Sequence, residues 1–209
     1  MLTVKTFVEG PIDANNYLLT DEESKEAILI DCSSARSEFV NAVKDTGCKL
    51  KYILLTHGHF DHILGVEKFK EEFNVDVYVS KDDLNQISYA PQMLMMFGAG
   101  TIAKAPEATK IVKDGDEFSI GKYNVKALST PGHTKGGMCY IVDNKLFSGD
   151  TLFQGSVGRC DLPEGDLDEI IKSIKEKLFT LPDEIEVYTG HGGKTTIGFE
   201  KKYNEIINL

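Results

Sequence analysis

Apolar residues along the chain fall into two alternating kinds of segment. Short runs at Leu2–Val8, Tyr17–Thr20 and Ala27–Ile30, separated by turn formers such as Pro11-Ile12-Asp13 and Asp21-Glu22-Glu23, predict a meander of strands. A helix is expected next, entered at Ser33 or Ser34, carrying Phe39 and Val43 four residues apart and stopped by Gly47. Tyr52–Leu55 then reads as a buried strand. Helix and strand go on alternating, because Val66, Phe69 and Phe73 keep an i, i+3, i+7 spacing and Val75–Val79 returns to strand. Later strands are expected at Val125–Leu128, Cys139–Val142, Leu146–Ser148 and Ile185–Tyr188. The clearest helix runs from Asp166 to about Leu178: Leu167, Ile170, Ile171, Ile174 and Leu178 form one stripe, and Asp166 and Glu169 are spaced as a capping box. A last helix from about Thr196 carries Phe199, Tyr203, Ile206 and Ile207. The chain is mixed α/β.

No repeat, low-complexity tract or Pro/Ser-rich linker interrupts it, so one continuous domain over residues 1–209 is expected. Against 33 Asp+Glu stand only 23 Lys+Arg, a net charge of −10. A sequence-independent grip on a phosphate backbone needs clustered cations, so nucleic acid is not an expected partner. No apolar run approaches the length of a membrane span, and Met1-Leu2-Thr3-Val4-Lys5 lacks the layout of a secretory signal. A cytoplasmic location is expected. Cys32, Cys48, Cys139 and Cys160 form no C-x-x-C pair and read as free thiols in a reducing compartment.

The chemistry concentrates in the histidines. Of five in the chain, three stand within His57-Gly58-His59-Phe60-Asp61-His62. Imidazole nitrogens and carboxylate oxygens are ligands for zinc and similar cations. Residues two apart in an extended turn point the same way, so His57 and His59 can grip one cation while Asp61 and His62 face an adjacent one. Asp61 could also serve as an N-cap for a following helix, and ligation is the preferred use of its carboxylate. The same grammar of apolar strand, tight turn and ligand recurs: Val125–Leu128 leads into Pro131-Gly132-His133, Leu146–Ser148 into Gly149-Asp150, and Ile185–Tyr188 into Gly190-His191. With those strands side by side their ends converge, bringing all five histidines, Asp61 and Asp150 to one edge. Seven ligands suit two metal ions.

Thr56-His57-Gly58-His59-Phe60-Asp61-His62, Pro131-Gly132-His133-Thr134, Ser148-Gly149-Asp150 and Gly190-His191 resemble the motifs of the metallo-β-lactamase-fold hydrolases, and the resemblance spans almost the whole chain. It implies an αββα four-layer sandwich with a metal cleft at the sheet edges. It also implies that His57, His59 and His133 hold one metal and Asp61, His62 and His191 a second, with Asp150 bridging. Zinc is the expected ion, with iron or manganese as alternatives. True β-lactamases of the family lack the second-metal pattern in several positions, so lactam hydrolysis is not what the match implies.

Gly149-Asp150-Thr151-Leu152-Phe153 followed by Gly155-Ser156-Val157-Gly158-Arg159-Cys160-Asp161 is similar to the glyoxalase II group, and most to its short single-domain bacterial members. Full glyoxalase II carries a further helical domain, whereas this sequence stops soon after His191, so the thiol carrier is either glutathione or another small thiol. The resemblance places a substrate-binding basic residue at Arg159. Cys160 stands where these relatives usually have Thr or Ser and is taken as a spectator. The implied activity is hydrolysis of S-2-hydroxyacyl thioesters by a hydroxide shared between two cations, with Asp61 and Asp150 as the catalytic carboxylates. A thiolate leaves with little proton donation because thiols are far stronger acids than alcohols. Two rival activities share the motifs: a persulfide dioxygenase with a single iron on His57, His133 and Asp150, and a lactonase. A purely structural metal module is disfavoured, since such sites are typically closed and rich in Cys. The oligomeric state is left open.

Tyr89–Gly100 is apolar, rich in Met and bounded by Pro91 and Gly98. It reads as a buried connecting helix, with a flexible cleft wall or a subunit contact as the alternatives.

Overall fold

Strands buried on both faces carry apolar residues at nearly every position, and successive side chains then belong to different cores. The computed structural model, which describes residues 1–208, resolves the apolar runs in this way. In the first sheet, β1 (Leu2–Glu9), β2 (Ala14–Asp21), β3 (Glu26–Ile30), β4 (Lys49–Leu54), β5 (Asp76–Ser80) and β6 (Lys110–Val112) lie in that spatial order. The first three form the expected antiparallel meander, and β3 to β6 pair in parallel. Parallel pairing requires crossovers, and α1 (Ser37–Lys44), α2 (Phe60–Ile63), α3 (Val66–Phe73) and α4 (Leu84–Met96) supply them. The second sheet contains β7 (Glu117–Ile120), β8 (Tyr123–Ser129), β9 (Met138–Val142) and β10 (Lys145–Gly149). A small hairpin of β11 (Leu152–Phe153) and β12 (Ser156–Val157) follows, then α5 (Leu167–Ser173) with a π-helical turn at Ile174–Leu178. Finally β13 (Glu186–Thr189) and β14 (Thr195–Thr196) complete the order β14-β13-β10-β9-β8-β7, and α6 (Ile197–Tyr203) and α7 (Glu205–Asn208) end the chain.

Three cores hold four layers together. Leu18, Leu29, Ile53 and Val77 pack outward against Phe39, Phe69 and Leu94 of the first helical layer. Their strand neighbours Leu19, Ile28, Ile30 and Leu54 turn inward to Tyr140, Phe147 and Tyr188 of the facing sheet. Beyond that sheet, Cys139, Leu146 and Val187 pack against Ile170, Ile174 and Ile197. The result is an αββα sandwich. Each fully buried Leu, Ile or Phe contributes about 1.5–3 kcal/mol relative to exposure, so all three cores are substantial.

Several local expectations change. The helix after β3 starts at Ser37 with Arg36 at its N-cap, because Ser33 is occupied elsewhere: its N–H and hydroxyl both donate to Asn16 Oδ1, at 2.7 and 2.9 Å. Pro91 does not bound a segment but sits inside α4, whose burial of Ala90, Met93 and Leu94 offsets the missing N–H. The Met-rich stretch is therefore a connecting helix, with Tyr89, Met95 and Met96 exposed. Asp166 caps α5 as expected, accepting from Glu169 N at 3.0 Å. The C-terminal helix is broken at Asn204, and Phe199 and Tyr203 lie exposed while Ile197 and Ile207 are buried. Strands β6, β7, β11, β12 and β14 had no counterpart in the apolar pattern, being short or half-exposed. No described helix is long and apolar enough to cross a membrane.

Candidate metal centre

The ligand-bearing strands do not all lie side by side. β8, β10 and β13 share the second sheet, with antiparallel β9 between β8 and β10, whereas β4 belongs to the facing sheet. The four strands end at one edge of the sandwich, and the site forms across both sheets. Residues 55–59 leave β4 as extended loop, and α2 then carries Asp61 and His62 in its single turn. The N-cap of α2 is His59, so Asp61 is not a cap; its carboxylate turns to His191 Nε2 at 3.1 Å and His62 Nε2 at 3.2 Å. At the end of β10, Gly149 adopts φ +49°, which directs the chain so that Asp150 faces the histidines. Gly190 is required by packing, since a Cβ there would collide with Asp150 Oδ1. A backbone bond from Asn15 N to Gly190 O at 2.7 Å, and Asn15 Nδ2 bonds to the carbonyls of Thr189 and Gly192, fix the His191 loop to β2.

All seven sequence-derived residues come together. Ligand atoms of His57, His59 and His133 fall within 4.8 Å of one another, as do those of Asp61, His62 and His191, and those of His57, His62 and Asp150. Asp150 stands between the first two groups, with Oδ1 3.4 Å from His62 Nε2 and Oδ2 3.5 Å from His133 Nε2.

Outer hydrogen bonds decide which ring nitrogen faces inward. His62 Nδ1 donates to Asp31 Oδ2 at 2.8 Å, His133 Nδ1 to the Arg159 carbonyl at 2.7 Å, and His191 Nδ1 to the Asp13 carbonyl at 3.2 Å. Thr56 Oγ1 gives its proton to Asp31, so it accepts from His57 Nδ1 at 3.1 Å. Each of these four rings therefore turns an Nε2 lone pair inward. His62 Nε2 and His191 Nε2 then face each other at 3.3 Å, and His133 Nε2 faces His59 Nδ1 at 2.9 Å. Two lone pairs at such distances repel unless a cation or proton lies between them. Among the described residues, buried His57 Nε2, His59 Nε2 and Asp150 Oδ1 have no hydrogen-bond partner. The donor set fits two divalent cations.

The electrostatics separate the histidines. Burial pushes His57 well below the ordinary imidazole pKa and His59 down to about 3. Burial would also lower His62, but the charges of Asp61, Asp150 and Asp31 outweigh it and hold that ring well above the ordinary value. His191 is raised as well, against burial, by its bond to Asp61. Burial would raise both Asp61 and Asp150, yet the adjacent histidines, His62 foremost, keep the two carboxylates ionised.

Two buried carboxylates had escaped the sequence reading. Asp31 holds His62 and Thr56. Asp83 ties the first and second motif loops together, accepting from Gly58 N at 2.8 Å, Thr134 Oγ1 at 2.9 Å and Gly136 N at 2.7 Å. Asp31 follows an apolar strand directly, the signal used for the other ligands; nothing in Lys81-Asp82-Asp83 marks Asp83.

Over the cluster lies a cavity of about 410 Å³, with His59, Asp61, His133, Asp150 and His191 at its base. Phe60, Met93, Phe97, Phe153 and Leu162 wall it, and Arg159 stands at its rim. One end of the Met-rich helix thus lines the cleft while its buried face connects to the core. Cys160 lies outside this cavity; its thiol donates to the Gly158 carbonyl, and burial raises its pKa, which suits a spectator.

Comparison with known proteins matches residues 10–191 to the family model described as the metallo-beta-lactamase superfamily. A Haemophilus influenzae protein named hydroxyacylglutathione hydrolase GloC is 35% identical, over 93% of this chain and 92% of its own length. A Bacillus subtilis protein named probable metallo-hydrolase YqgX is 33% identical over 95% of this chain and 94% of its own. Among solved structures, BLEG-1, named a B3 metallo-beta-lactamase, superposes with a TM-score of 0.91 at 32% identity, covering 99% of this chain and 100% of that one. TTHA1623 in a di-iron-bound form gives 0.86 at 34% identity, covering 96% and 98%.

Proposed function

The chain belongs to the metallo-beta-lactamase superfamily, and we propose that within it this protein hydrolyses S-2-hydroxyacyl thioesters to a hydroxy acid and a small thiol. The observation that carries this reading is a two-centred cluster of five imidazoles and two carboxylates at the base of an open, largely apolar cavity. Similarity to a relative named hydroxyacylglutathione hydrolase supports the thioester as substrate.

His57, His59 and His133 would hold one cation and Asp61, His62 and His191 the other, with Asp150 shared. Two zinc ions there, or iron or manganese, would supply Lewis acidity toward a carbonyl and bring the pKa of a bound water near neutrality. The chain's own groups do the rest. Asp31, Thr56 and the carbonyls of Asp13 and Arg159 keep four rings in the tautomer that presents Nε2 inward. Asp61 and Asp150 remain anionic and balance the charge of the centre. The Phe and Met walls exclude water, which strengthens every charge interaction near the scissile bond. Arg159 stands at the rim, where the substrate enters, paired with Asp161. No general acid is needed for departure, since a thiol of pKa about 8.5 leaves as its anion.

Elemental analysis of protein purified without added metal, together with thiol release from S-lactoylglutathione and from S-lactoyl esters of uncharged thiols, tests the reading. Two equivalents of metal with thiol release are expected. Absence of free thiol from every such thioester would overturn it. In that case one iron per chain with oxygen uptake on a persulfide would indicate the dioxygenase reading, and acid release from lactones or opening of a β-lactam would indicate ester or lactam chemistry.

A further inference from the structure

The cavity walls and the rim select different substrates. Ile12, Phe60, Met93, Phe97, Phe153 and Leu162 present only hydrocarbon and thioether surface to the space above the ligand cluster. Phe60 and Phe97 pack with ring centroids 5.5 Å apart, and Ile12 and Phe97 extend the apolar surface to the mouth, where they are 43% and 41% exposed. Arg159 is the guanidinium lining this cavity, and one edge of its fork is already engaged: Nε donates to Asp161 Oδ1 and Nη2 to Asp161 Oδ2, both at 2.7 Å. The pair occupies the Nε–Nη2 edge of the guanidinium and balances its charge, leaving the Nη1–Nη2 edge as the remaining donor pair. An anionic arm must therefore either displace Asp161 or bind a guanidinium whose charge Asp161 already balances, and it must approach a chain of net charge −10.

We propose that this cavity is a subsite for an uncharged, apolar thiol arm, and that Asp161 is a specificity-determining residue that keeps Arg159 from recruiting an anionic arm such as that of glutathione. The inference rests on the thioester reading in one respect: a small 2-hydroxyacyl group at the ligand cluster leaves the thiol arm to fill the apolar walls. Burying a hydrocarbon arm against those walls is favourable in proportion to area, whereas glutathione's two carboxylates gain nothing from them.

The test is calorimetric titration of the zinc-reconstituted chain with two inert thioethers, S-methylglutathione and benzyl methyl sulfide, so that it reads binding without turnover. The parent chain is expected to bind benzyl methyl sulfide more tightly. Asp161→Asn should tighten S-methylglutathione on the order of fivefold, the scale of an exposed ion pair, and shift the sulfide by less than about twofold. In an Arg159→Gln background the effect of Asp161→Asn should vanish, which separates release of the Arg159 fork from a general loss of negative charge. Equal or tighter binding of S-methylglutathione by the parent chain, an unchanged ratio in Asp161→Asn, an effect that persists without Arg159, or no binding of either thioether would each overturn the proposal. Failure to hydrolyse any 2-hydroxyacyl thioester would bear instead on the activity.

Discussion

At the end of β3, Asp31 sits in left-handed backbone (φ +60°) with both carboxylate oxygens committed, one to Thr56 N and the other to the Thr56 hydroxyl and His62. Such backbone costs roughly 1–3 kcal/mol for a residue with a Cβ, and here it aims a buried acid at two members of the ligand cluster. Asp31→Ala is therefore expected to weaken zinc binding about 10- to 100-fold, read by competition with a chelating dye, while Asp31→Asn recovers part of the loss. Zinc affinity within about twofold of the parent would show that Asp31 only fills space. The histidines themselves set the pH response of the metal-free chain. His57 and His59 have folded pKa values below the unfolded value of 6.5, so the stability they contribute is present above that pH and lost as pH falls toward about 3. His62 and His191 are raised, so theirs is present below 6.5 and lost as pH rises through their folded values. Urea midpoints of the chelated protein should therefore peak near pH 6.5; a midpoint that climbs steadily from pH 5 to 9 would contradict the assignment. The seven clustered residues were legible because each follows an apolar strand or shares one motif with others that do. Asp83 was not, since its carboxylate acts on Gly58, Thr134 and Gly136, which are distant from it in sequence.

Elements were legible where one face or one alternation dominates. The stripe and cap of α5 and the apolar runs of β3, β4, β10 and β13 announce themselves because burial on a packed surface enforces their spacing. The start of the C-terminal helix was legible too, α6 beginning at Ile197 after its Thr196 cap, but its buried face was not, because its anchor is polar. Glu200, fully buried on α6, accepts from Thr195 Oγ1 at 2.5 Å, Gly155 N at 2.9 Å and Asn204 Nδ2 at 2.7 Å, and Asn204 Nδ2 also donates to the Ser156 carbonyl at 3.0 Å. Of the expected stripe Phe199, Tyr203, Ile206 and Ile207, the two aromatics are exposed while Ile207 is buried. The same network fastens the turn of the β11–β12 hairpin, and that hairpin carries Phe153, Ser156 and Val157 into the cavity wall. Replacing Glu200 with Ala leaves Thr195 Oγ1 and Gly155 N without this acceptor and Asn204 Nδ2 with one of its two, for an expected stability loss of about 3 kcal/mol by urea denaturation. Glu200→Gln retains an acceptor and should cost less. A loss below about 0.5 kcal/mol for Glu200→Ala would mean that water replaces the carboxylate and that the hairpin is held by other contacts.

The molecule as a whole places its stability and its chemistry in different regions. Three cores bind the four layers through side chains that the site does not use, whereas the ligand cluster occupies the edge where loops from both sheets meet. His57, His59, Asp61 and His62 come from the side of the first sheet and His133, Asp150 and His191 from the second, so cations held there would join two layers that otherwise touch through the central core. Metal binding to the folded state alone adds about 2.7 kcal/mol when free metal is a hundredfold above Kd. For a chain of about 200 residues, 1 kcal/mol moves the melting temperature by roughly 2–4 °C. Removing the metal with a chelator is therefore expected to lower the Tm by roughly 5–10 °C. The far-ultraviolet circular dichroism at 25 °C should stay unchanged, because the cores are complete without the site. Hydrogen exchange should rise selectively at residues 55–62, 130–137 and 189–193, the three segments that the cluster brings together. Global loss of secondary structure on chelation would mean that the cations are part of the fold's foundation, and an unchanged Tm after verified metal removal would mean that they do not bridge the sheets.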